Sequence, residues 1–365
     1  MKFVFASYVY TKEYSDPEAW LRHIRFYGGI LEALSKTNEA TSIEQIDYEG
    51  RIEFGGVDYQ FKRFNKISRY FPFGLHRYIK NLRPDVVFIQ SLQFPLQVIQ
   101  LRIMLGKKAK IMVQNHAERP FTGIKKYLQR IADRCTDAYL FASRDMGIEW
   151  IVKGNLSTQD KIHEVMEVSS VFYPIEKAAA KQQTAVTGEP VFLWVGRLNE
   201  NKDPLNMVNA FLKFVDCESS ARLYMIYHTD ELLPELTDII KNSPNNHAVV
   251  LVGKIGHDDL LNWYNSADFI VSASHYEGSG TAVCEAMSCG CIPVVTDIFS
   301  FRMITDKGKC GLLYELGNEM ALLSALMQTR TLDRVDMRNR ALAYYNKNLS
   351  FEAIAGRIHD IATVL

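Results

Sequence analysis

Short apolar runs alternate with helix-length amphipathic segments along almost the whole chain of 365 residues. Such runs fit strands that are buried on both faces of a parallel sheet, and the segments between them fit the helices that cover the sheet. The alternation therefore predicts the α/β class. Because a chain of this length exceeds a typical single core, we expect two domains.

Two series of apolar runs define the expected domains. The first series predicts strands at residues 2–7, 85–90, 110–115, 138–143 and 161–166, and the second at 190–196, 222–227, 248–253, 269–274, 292–297 and 310–314. Between them lies a polar stretch with prolines toward both ends, residues 171–188, which is predicted to be a linker. The expected domains are 1–170 and 189–345, followed by a C-terminal helix at 346–365 that packs back on the first domain.

One helix-length segment contains two adjacent glycines. From Asp16, which fits an N-cap, the apolar residues recur at helical spacing as far as Lys36. Gly28 and Gly29 lie inside this pattern, where each costs roughly 1 kcal/mol relative to alanine. A close contact or a break of the helix at this pair explains them, and plain tolerance of the two glycines is the alternative.

Charge is balanced over the whole chain, with 42 Lys and Arg against 42 Asp and Glu, but not along it. Residues 1–170 carry 25 basic against 19 acidic residues, and residues 171–365 carry 17 against 23. A basic first half favours an anionic partner or a membrane surface. Within it, Phe61–Arg83 has seven basic and six Phe or Tyr residues and no acid, which suits a membrane interface or a lipid-linked acceptor. The alternative is a basic helix whose rings pack on the first sheet.

Cysteine usage and apolar run length bear on location. The six cysteines show no framework spacing, so we expect buried free thiols in a reducing compartment. A metal site from Cys284, Cys289 and Cys291 is the alternative, although their spacing is not that of a zinc knuckle. No run reaches the roughly 18 apolar residues of a membrane span, and the N-terminal sequence lacks a signal-peptide pattern. A cytoplasmic protein is expected, peripheral at the inner face of the membrane if Phe61–Arg83 binds lipid.

The stretch "SASHYEGSGTAVCEAMSCGCIPVVTD", which starts at Ser272, combines a strand end, a glycine-broken turn and a helix start. Backbone N–H groups at Gly278–Thr281 are expected to form an anion cradle there. Glu285 lies one turn into the helix, where a phosphate would repel it, and its carboxylate suits the hydroxyls of a ribose. Glu277 precedes the turn and is expected to face whatever lies beyond the phosphates.

The stretch "VGRLNENKDP" follows the first strand of the second series and carries Arg197 and Lys202. Two cations at this strand end would neutralise a diphosphate. Alone, such residues are more often solvated surface charges. Together with the glycine turn and both glutamates, they favour a binding site.

The ordered set "VGRLNENKDP", "VGKIGHDDLLNWYNSADFIVSAS" and "YEGSGTAVCEAMSCGCIPVV" resembles the back half of retaining glycosyltransferases of the group-one family, family four. The resemblance implies the GT-B fold, in which two Rossmann-like domains face each other across a crevice. It further implies that Glu277 contacts the donor sugar, Glu285 the ribose hydroxyls, and Arg197 and Lys202 the diphosphate. The nucleobase is then expected to lie against Gly253, Lys254 and Ile255, and the phosphates against the backbone of Gly278, Ser279, Gly280 and Thr281. His116, after a strand of the first series, matches the family's histidine near the donor sugar and acceptor.

The activity implied by the resemblance is transfer of a hexose, with retention, from a nucleotide-diphosphate sugar to a hydroxyl of a glycan or lipid-linked acceptor. UDP is the favoured nucleotide and GDP the next. Glu277, His116, Arg197 and Lys202 are the expected catalytic residues. No cofactor and no metal are expected, because no Asp-any-Asp motif is present, and His257–Asp259 is interpreted as a helix cap. No nucleic-acid partner is expected. The alternatives are an epimerase or hydrolase of nucleotide sugars, and a non-catalytic subunit that binds them.

Overall fold

The computed structural model describes residues 1–64 and 70–365. These residues form two compact units. Unit 1 consists of Met1–Ser169 together with Phe351–Leu365, and unit 2 of Ser170–Ser350. Each unit is an α/β domain, so the predicted fold class is confirmed.

Strands and helices alternate along both units. In chain order, the strands are β1 (Lys2–Ala6), β2 (Glu39–Glu44), β3 (Gly50–Phe54), β4 (Val57–Phe61), β5 (Val86–Gln90), β6 (Lys110–Gln114), β7 (Ala138–Phe141), β8 (Ile162–Glu164), β9 (Val191–Gly196), β10 (Arg222–Tyr227), β11 (Val249–Gly253), β12 (Phe269–Ser272), β13 (Ile292–Thr296) and β14 (Leu312–Tyr314). The helices are α1 (Pro17–His23), α2 (Arg25–Ser35), α3 (Phe73–Asn81), α4 (Pro95–Leu105), α5 (Gly123–Asp133), α6 (Arg144–Val152), α7 (Lys177–Thr184), α8 (Pro204–Val215), α9 (Leu233–Lys241), α10 (Leu260–Ser266), α11 (Thr281–Ser288), α12 (Phe299–Ile304), α13 (Glu319–Gln328), α14 (Arg334–Tyr344) and α15 (Phe351–Val364).

Unit 1 is built on an eight-stranded sheet in the order β3-β4-β2-β1-β5-β6-β7-β8. All neighbours are parallel except the edge pair β3 and β4. The apolar runs correctly predicted β1 and β5 to β8. They did not predict β2, β3 and β4, because these strands carry many polar residues and are stabilised by contacts distant in sequence. The carboxylate of Glu44, for example, accepts hydrogen bonds from Ser42, Trp20 and Tyr27.

The segment with two glycines forms two helices, α1 and α2, which meet at Ile24 rather than at the glycine pair. Asp16 caps α1 by accepting from the backbone N–H groups of Glu18 and Ala19. The glycines mark a close contact instead. A Cβ added to Gly29 would lie 2.7 Å from the ring of Phe351, the first residue of α15. This contact fits the expected packing of the C-terminal helix on the first domain, although α15 begins at 351 rather than 346.

A buried histidine on α3 makes unit 1 sensitive to acid. His76 is fully buried, Nε2 lies 2.9 Å from the hydroxyl of Tyr8, and burial lowers the pKa of His76 to about 4. Its folded-state pKa lies below the unfolded value near 6.5, so its contribution to stability is complete above about pH 6.5 and is lost as the pH falls toward 4.

We expect the free energy of unfolding to fall by roughly 3 kcal/mol from this group over that interval. Urea unfolding between pH 7 and pH 4 measures the loss. His76→Gln should show a flatter pH dependence, whereas His228→Gln, at an exposed position of unit 2, should keep the wild-type slope. Equal slopes in His76→Gln and the wild type would contradict the assignment.

Unit 2 is built on a six-stranded parallel sheet in the order β11-β10-β9-β12-β13-β14. All six of its strands lie at the predicted apolar runs. A cluster of rings fills the core next to β9, where Phe192 stacks on Phe269 at 4.9 Å and meets Phe211 edge-on at 5.3 Å. The centre of this sheet is therefore a packed apolar layer, so polar side chains that could bind a ligand are expected at the strand ends.

The stretch 171–188, predicted to be a linker, is instead part of unit 2 and contains α7. Glu176 caps this helix by accepting from two backbone N–H groups, and Ala180 is fully buried. Lys177 forms an ion pair with Asp268, and the Thr184 hydroxyl lies 2.8 Å from that of Ser266. The prolines led to the linker interpretation, but the run "EKAAAK" between them favours a helix.

Candidate functional site

Two loops of unit 2 meet at one edge of its sheet because the strands before them, β9 and β12, are neighbours. The carboxyl ends of parallel strands lie at the same edge. Asn201 donates through Nδ2 to the carbonyl of Tyr276 at 3.0 Å, and its own carbonyl accepts from the N–H of His275 at 2.7 Å. His275 also contacts Asp203 at 3.2 Å. The two loops are thus fixed to each other by several bonds.

This arrangement brings together two predicted site residues that are 75 positions apart, since Lys202 forms an ion pair and hydrogen bond with Glu277. Both side chains are largely buried, with 23% and 15% of their surface exposed. Asn199 holds the turn before Lys202 by accepting from the backbone N–H of that lysine at 3.2 Å. Arg197 is exposed, and its guanidinium forms no hydrogen bond or ion pair with the described residues. Lys202 is therefore held by Glu277, while Arg197 is not fixed by a polar partner of this kind.

The glycine turn before α11 has the form expected of an anion cradle. Gly280 is the N-cap with φ 60°, and a Cβ there would lie 2.7 Å from the ring of Phe301 and 3.1 Å from Ile304. Both the backbone angle and the space thus require glycine. The helix start of Thr281 presents backbone N–H groups together with its own hydroxyl, which lies 3.4 Å from that of Ser279. Such a start attracts anions through the helix dipole.

Glu285 lies inside α11 with only 5% of its surface exposed. One carboxylate oxygen accepts from the Tyr264 hydroxyl at 2.9 Å, and the other lies 2.9 Å from Nε2 of His257. The ring of Phe172 lies 4.9 Å from that of His257. As the helix-cap interpretation of His257–Asp259 expects, Asp259 is the N-cap residue of α10, although its side chain makes no cap bond. His257 faces Glu285.

The predicted nucleobase loop follows β11. Gly253 has φ 84°, and a Cβ there would meet no atom within 4 Å. Lys254 is exposed and Ile255 is half-buried. The register between β10 and β11 shifts just before Gly253, which ends the strand. The loop is thus accessible, and Lys254 carries the one polar side chain among its three residues.

In unit 1, His116 follows β6 and is held from both ring nitrogens. Nε2 lies 2.7 Å from Oε1 of Gln90, at the end of the neighbouring strand β5, and Nδ1 forms an ion pair with Glu167, which follows β8. Burial alone lowers the pKa of His116, but the carboxylate of Glu167 and, more weakly, that of Glu118 outweigh burial and raise it. Oxygen acceptors at both nitrogens favour the imidazolium form.

The backbone around His116 is strained and is supported by a buried carboxylate. Ser91 and Ala117 have φ values of 91° and 67°, which non-glycine residues rarely adopt. Glu118 accepts from the Ser91 hydroxyl, from Nδ2 of Asn115 at 2.8 Å and from the N–H of His116 at 2.6 Å. Sequence analysis found His116 but missed Gln90, Glu118 and Glu167, whose only signal was their position at or after apolar runs.

The cysteines are all free, and four of the six are buried. Cys217 is exposed and Cys135 half-buried, so the expectation of buried thiols holds only in part. Cys291 contacts the carbonyl of Tyr264 at 2.9 Å, and burial raises its pKa. Within residues 1–64 and 70–365, no three His, Cys, Asp or Glu side chains cluster in a way that could hold a metal ion.

The basic aromatic segment Phe61–Arg83 has both buried and exposed rings, so each of its two interpretations fits a part of it. Residues 65–69 of the segment lie outside the described residues. Phe61 is fully buried in β4, as the packing alternative requires. Tyr70, Phe71 and Phe73 are 64%, 53% and 57% exposed. Across the described parts of the chain, the helices are too short or too polar to span a bilayer.

Solved structures share this two-unit fold. Anabaena HepE in complex with UDP superposes with a TM-score of 0.75 at 14% identity, with all of both chains covered. Likeness over the full length at such low identity shows the fold alone, and this fold is the GT-B fold of glycosyltransferases.

A family model and curated relatives also match the sequence of this chain. Residues 176–347, which lie in unit 2, match the family described as glycosyl transferases group 1. The lipopolysaccharide core biosynthesis mannosyltransferase LpsB of Rhizobium meliloti is 23% identical over 72% of this chain and 74% of its own. Mannosylfructose-phosphate synthase of Agrobacterium fabrum is 30% identical over 34% of this chain, a match that spans only 30% of the length of that relative.

Proposed function

We propose that the protein is a retaining hexosyltransferase that moves a sugar from a nucleotide-diphosphate donor to a hydroxyl of a glycan or lipid-linked acceptor. A UDP-sugar is the favoured donor and a GDP-sugar the next. The proposal includes no metal and no other cofactor. The fold neighbour that holds UDP and the mannosyltransferase relative of lipopolysaccharide core biosynthesis support this direction.

The observation that carries the proposal is the set of charged groups beside the glycine turn. Lys202 and Glu277 form a partly buried ion pair next to a helix start whose N-cap must be glycine. Removing two charges from water costs about as much free energy as their attraction returns, so a pair buried to this extent is hard to explain by folding alone. A site that must stabilise a diphosphate needs a fixed cation there.

The proposed mechanism follows from the charge of the leaving group. When the sugar–phosphate bond breaks, negative charge builds on the departing diphosphate. Lys202, Arg197 and the N–H groups at Thr281 stabilise this charge most when it is fully formed, which lowers the barrier. Glu277 holds Lys202 in place and lies where the sugar is proposed to bind. The bond to the acceptor forms on the face from which the diphosphate leaves, and a donor phosphate oxygen takes the acceptor proton.

His116 is proposed to act on the acceptor side. Its raised pKa keeps the ring cationic to higher pH than an ordinary histidine, so it suits a positive charge beside the acceptor rather than a general base. We further propose that the exposed rings of Phe61–Arg83 meet a lipid-linked acceptor or a membrane surface. The protein would then act at the inner face of the membrane.

A thermal-shift experiment tests the donor assignment. A nucleotide that binds only the folded state at about 100 times its Kd adds roughly 2.7 kcal/mol of stability. For a unit of this size we expect the melting temperature to rise by roughly 5–10 °C with UDP or a UDP-sugar, with or without EDTA. Arg197→Ala should remove most of this shift.

The matched control is Lys241→Ala, which removes an exposed cation of the same unit at the end of α9. It should leave the shift unchanged. No shift with UDP, GDP, ADP or their sugar conjugates would refute the proposed donor class. A shift that survives Arg197→Ala would place the diphosphate away from the end of β9.

A further inference from the structure

The solvent face of α5 in unit 1 carries apolar side chains that no described element covers. Ile124, Tyr127 and Ile131 are 81%, 68% and 49% exposed. Their spacing of three and four residues places them on one stripe along the helix. Single exposed apolar residues are normal on a protein surface, but a continuous stripe indicates an interaction surface.

Arginine side chains border this stripe. Arg130 and Arg134 are exposed, and neither forms an ion pair with another residue of the described chain. In unit 2, by contrast, Arg330 and Arg340 each meet a carboxylate. We call Ile124, Tyr127, Ile131, Arg130 and Arg134 together the α5 face. Its charge is available to a partner.

A cavity of about 270 Å³ opens beside the stripe. It is lined by Tyr127, Arg130, Ile131, Asp133, Arg134 and Ser157. Asp133 is its one acidic group, and the side chain is only 4% exposed. Its carboxylate accepts from the N–H of Ser157 at 3.1 Å and lies 3.8 Å from Nζ of Lys161. The acid is thus neutralised within the wall, and the two guanidinium groups set the charge of the opening.

Exposed apolar groups continue on the neighbouring helices of the same layer. Helix α4 packs against both α3 and α5. Ile103 on α4 is 78% exposed. Gln100 of α4 donates to the carbonyl of Tyr70 at 3.2 Å, which fixes the exposed rings before α3 next to this layer. Helices α3, α4 and α5 of this layer therefore each carry exposed apolar groups at or near them.

We propose that the α5 face docks on a bilayer that contains anionic lipids. Ile124, Tyr127 and Ile131 enter the boundary between headgroups and acyl chains, and Arg130 and Arg134 bind lipid phosphates at the cavity. A nucleic acid would satisfy the arginines but leave two isoleucines against a polar backbone, so the apolar stripe favours lipid. The proposal rests on the proposed function in one respect, the contact with a membrane surface, which it assigns to α5 and to anionic lipid. Its test measures vesicle binding alone, so its failure is distinguishable from a failure of the donor assignment, which the nucleotide thermal shift measures.

Co-sedimentation of the full chain with vesicles tests the proposal. We expect binding to vesicles of phosphatidylcholine with phosphatidylglycerol, little binding to phosphatidylcholine alone, and weaker binding as salt is raised. Arg130→Gln with Arg134→Gln should bind on the order of 30-fold more weakly, since two basic residues near an anionic surface are removed. Ile124→Ser, Tyr127→Ser and Ile131→Ser combined should abolish binding.

The matched control is Met320→Ser with Val335→Ser, two residues of unit 2 that are 61% and 72% exposed. It should bind like the wild type. Tyr127→Trp gives a second readout that needs no loss of function, because its fluorescence should be quenched by brominated acyl chains. The proposal is overturned if the wild-type protein binds neither kind of vesicle or if the α5-face variants bind normally. It is also overturned if brominated acyl chains do not quench the fluorescence of Tyr127→Trp. Binding to single-stranded RNA but not to anionic vesicles overturns it as well.

Discussion

Glu277→Gln is expected to lower kcat by roughly 10²- to 10³-fold while the Kd for UDP changes by less than about threefold. Glutamine keeps the shape of the side chain but removes the charge that holds the ammonium group of Lys202. The reaction then loses a fixed cation and the carboxylate proposed to face the sugar. UDP itself still meets Arg197 and the helix start of α11, so its affinity is retained. Steady-state kinetics and calorimetry on the same preparation measure both quantities.

Lys202→Met separates the two members of the pair. This change removes the cation proposed to bind the diphosphate, so both kcat and UDP affinity should fall. Glu231→Gln, at an exposed position of the same unit, should alter neither. A Glu277→Gln variant with normal turnover would contradict the catalytic role of Glu277. It would indicate instead that the ion pair with Lys202 only holds the two loops together. UDP binding without any turnover by the wild type would favour a non-catalytic nucleotide-sugar-binding subunit.

The fold was largely predictable because strands buried on both faces must be apolar. All six strands of unit 2 and five of those in unit 1 coincide with runs visible in the sequence. The exceptions, β2, β3 and β4, are stabilised by contacts with residues distant in sequence. Strand β2 buries Thr41, Ser42 and Glu44, and the Glu44 carboxylate accepts hydrogen bonds from Trp20 and Tyr27. A buried polar strand of this kind cannot be distinguished from a loop until its hydrogen-bond partners are known.

The positions of the candidate site residues at strand ends and at a helix start were predictable from the sequence, but the contacts between them were not. That Lys202 meets Glu277 depends on β9 lying next to β12, an order that skips two strands along the chain. His257 was assigned to a cap because three polar residues precede a helix, yet its ring faces Glu285. Glu167, the partner of His116, follows a three-residue strand with no motif of its own. Sequence patterns report local structure, and these pairings are fixed by topology.

The ribose assignment of Glu285 predicts a loss of nucleotide affinity that depends on the ligand. Both carboxylate oxygens already have one partner each, Tyr264 and His257, but an ionised carboxylate has about four acceptor positions. The two ribose hydroxyls are proposed to donate to the remaining positions. Hydrogen bonds to a charged group are worth roughly 1.5–3 kcal/mol each, so the loss of two of them in Glu285→Ala should weaken UDP binding by roughly 10²- to 10⁴-fold.

A second ligand distinguishes this role from a structural one. Wild-type protein should bind 2′,3′-dideoxy-UDP far more weakly than UDP, whereas Glu285→Ala should bind the two ligands almost equally. Tyr264→Phe removes the buried hydroxyl that faces the same carboxylate. It should lower the melting temperature but keep the preference for UDP, since the carboxylate remains. If Glu285→Ala loses the same factor for both ligands, the carboxylate only supports the packing of α10 on α11, and the ribose must be bound by another group.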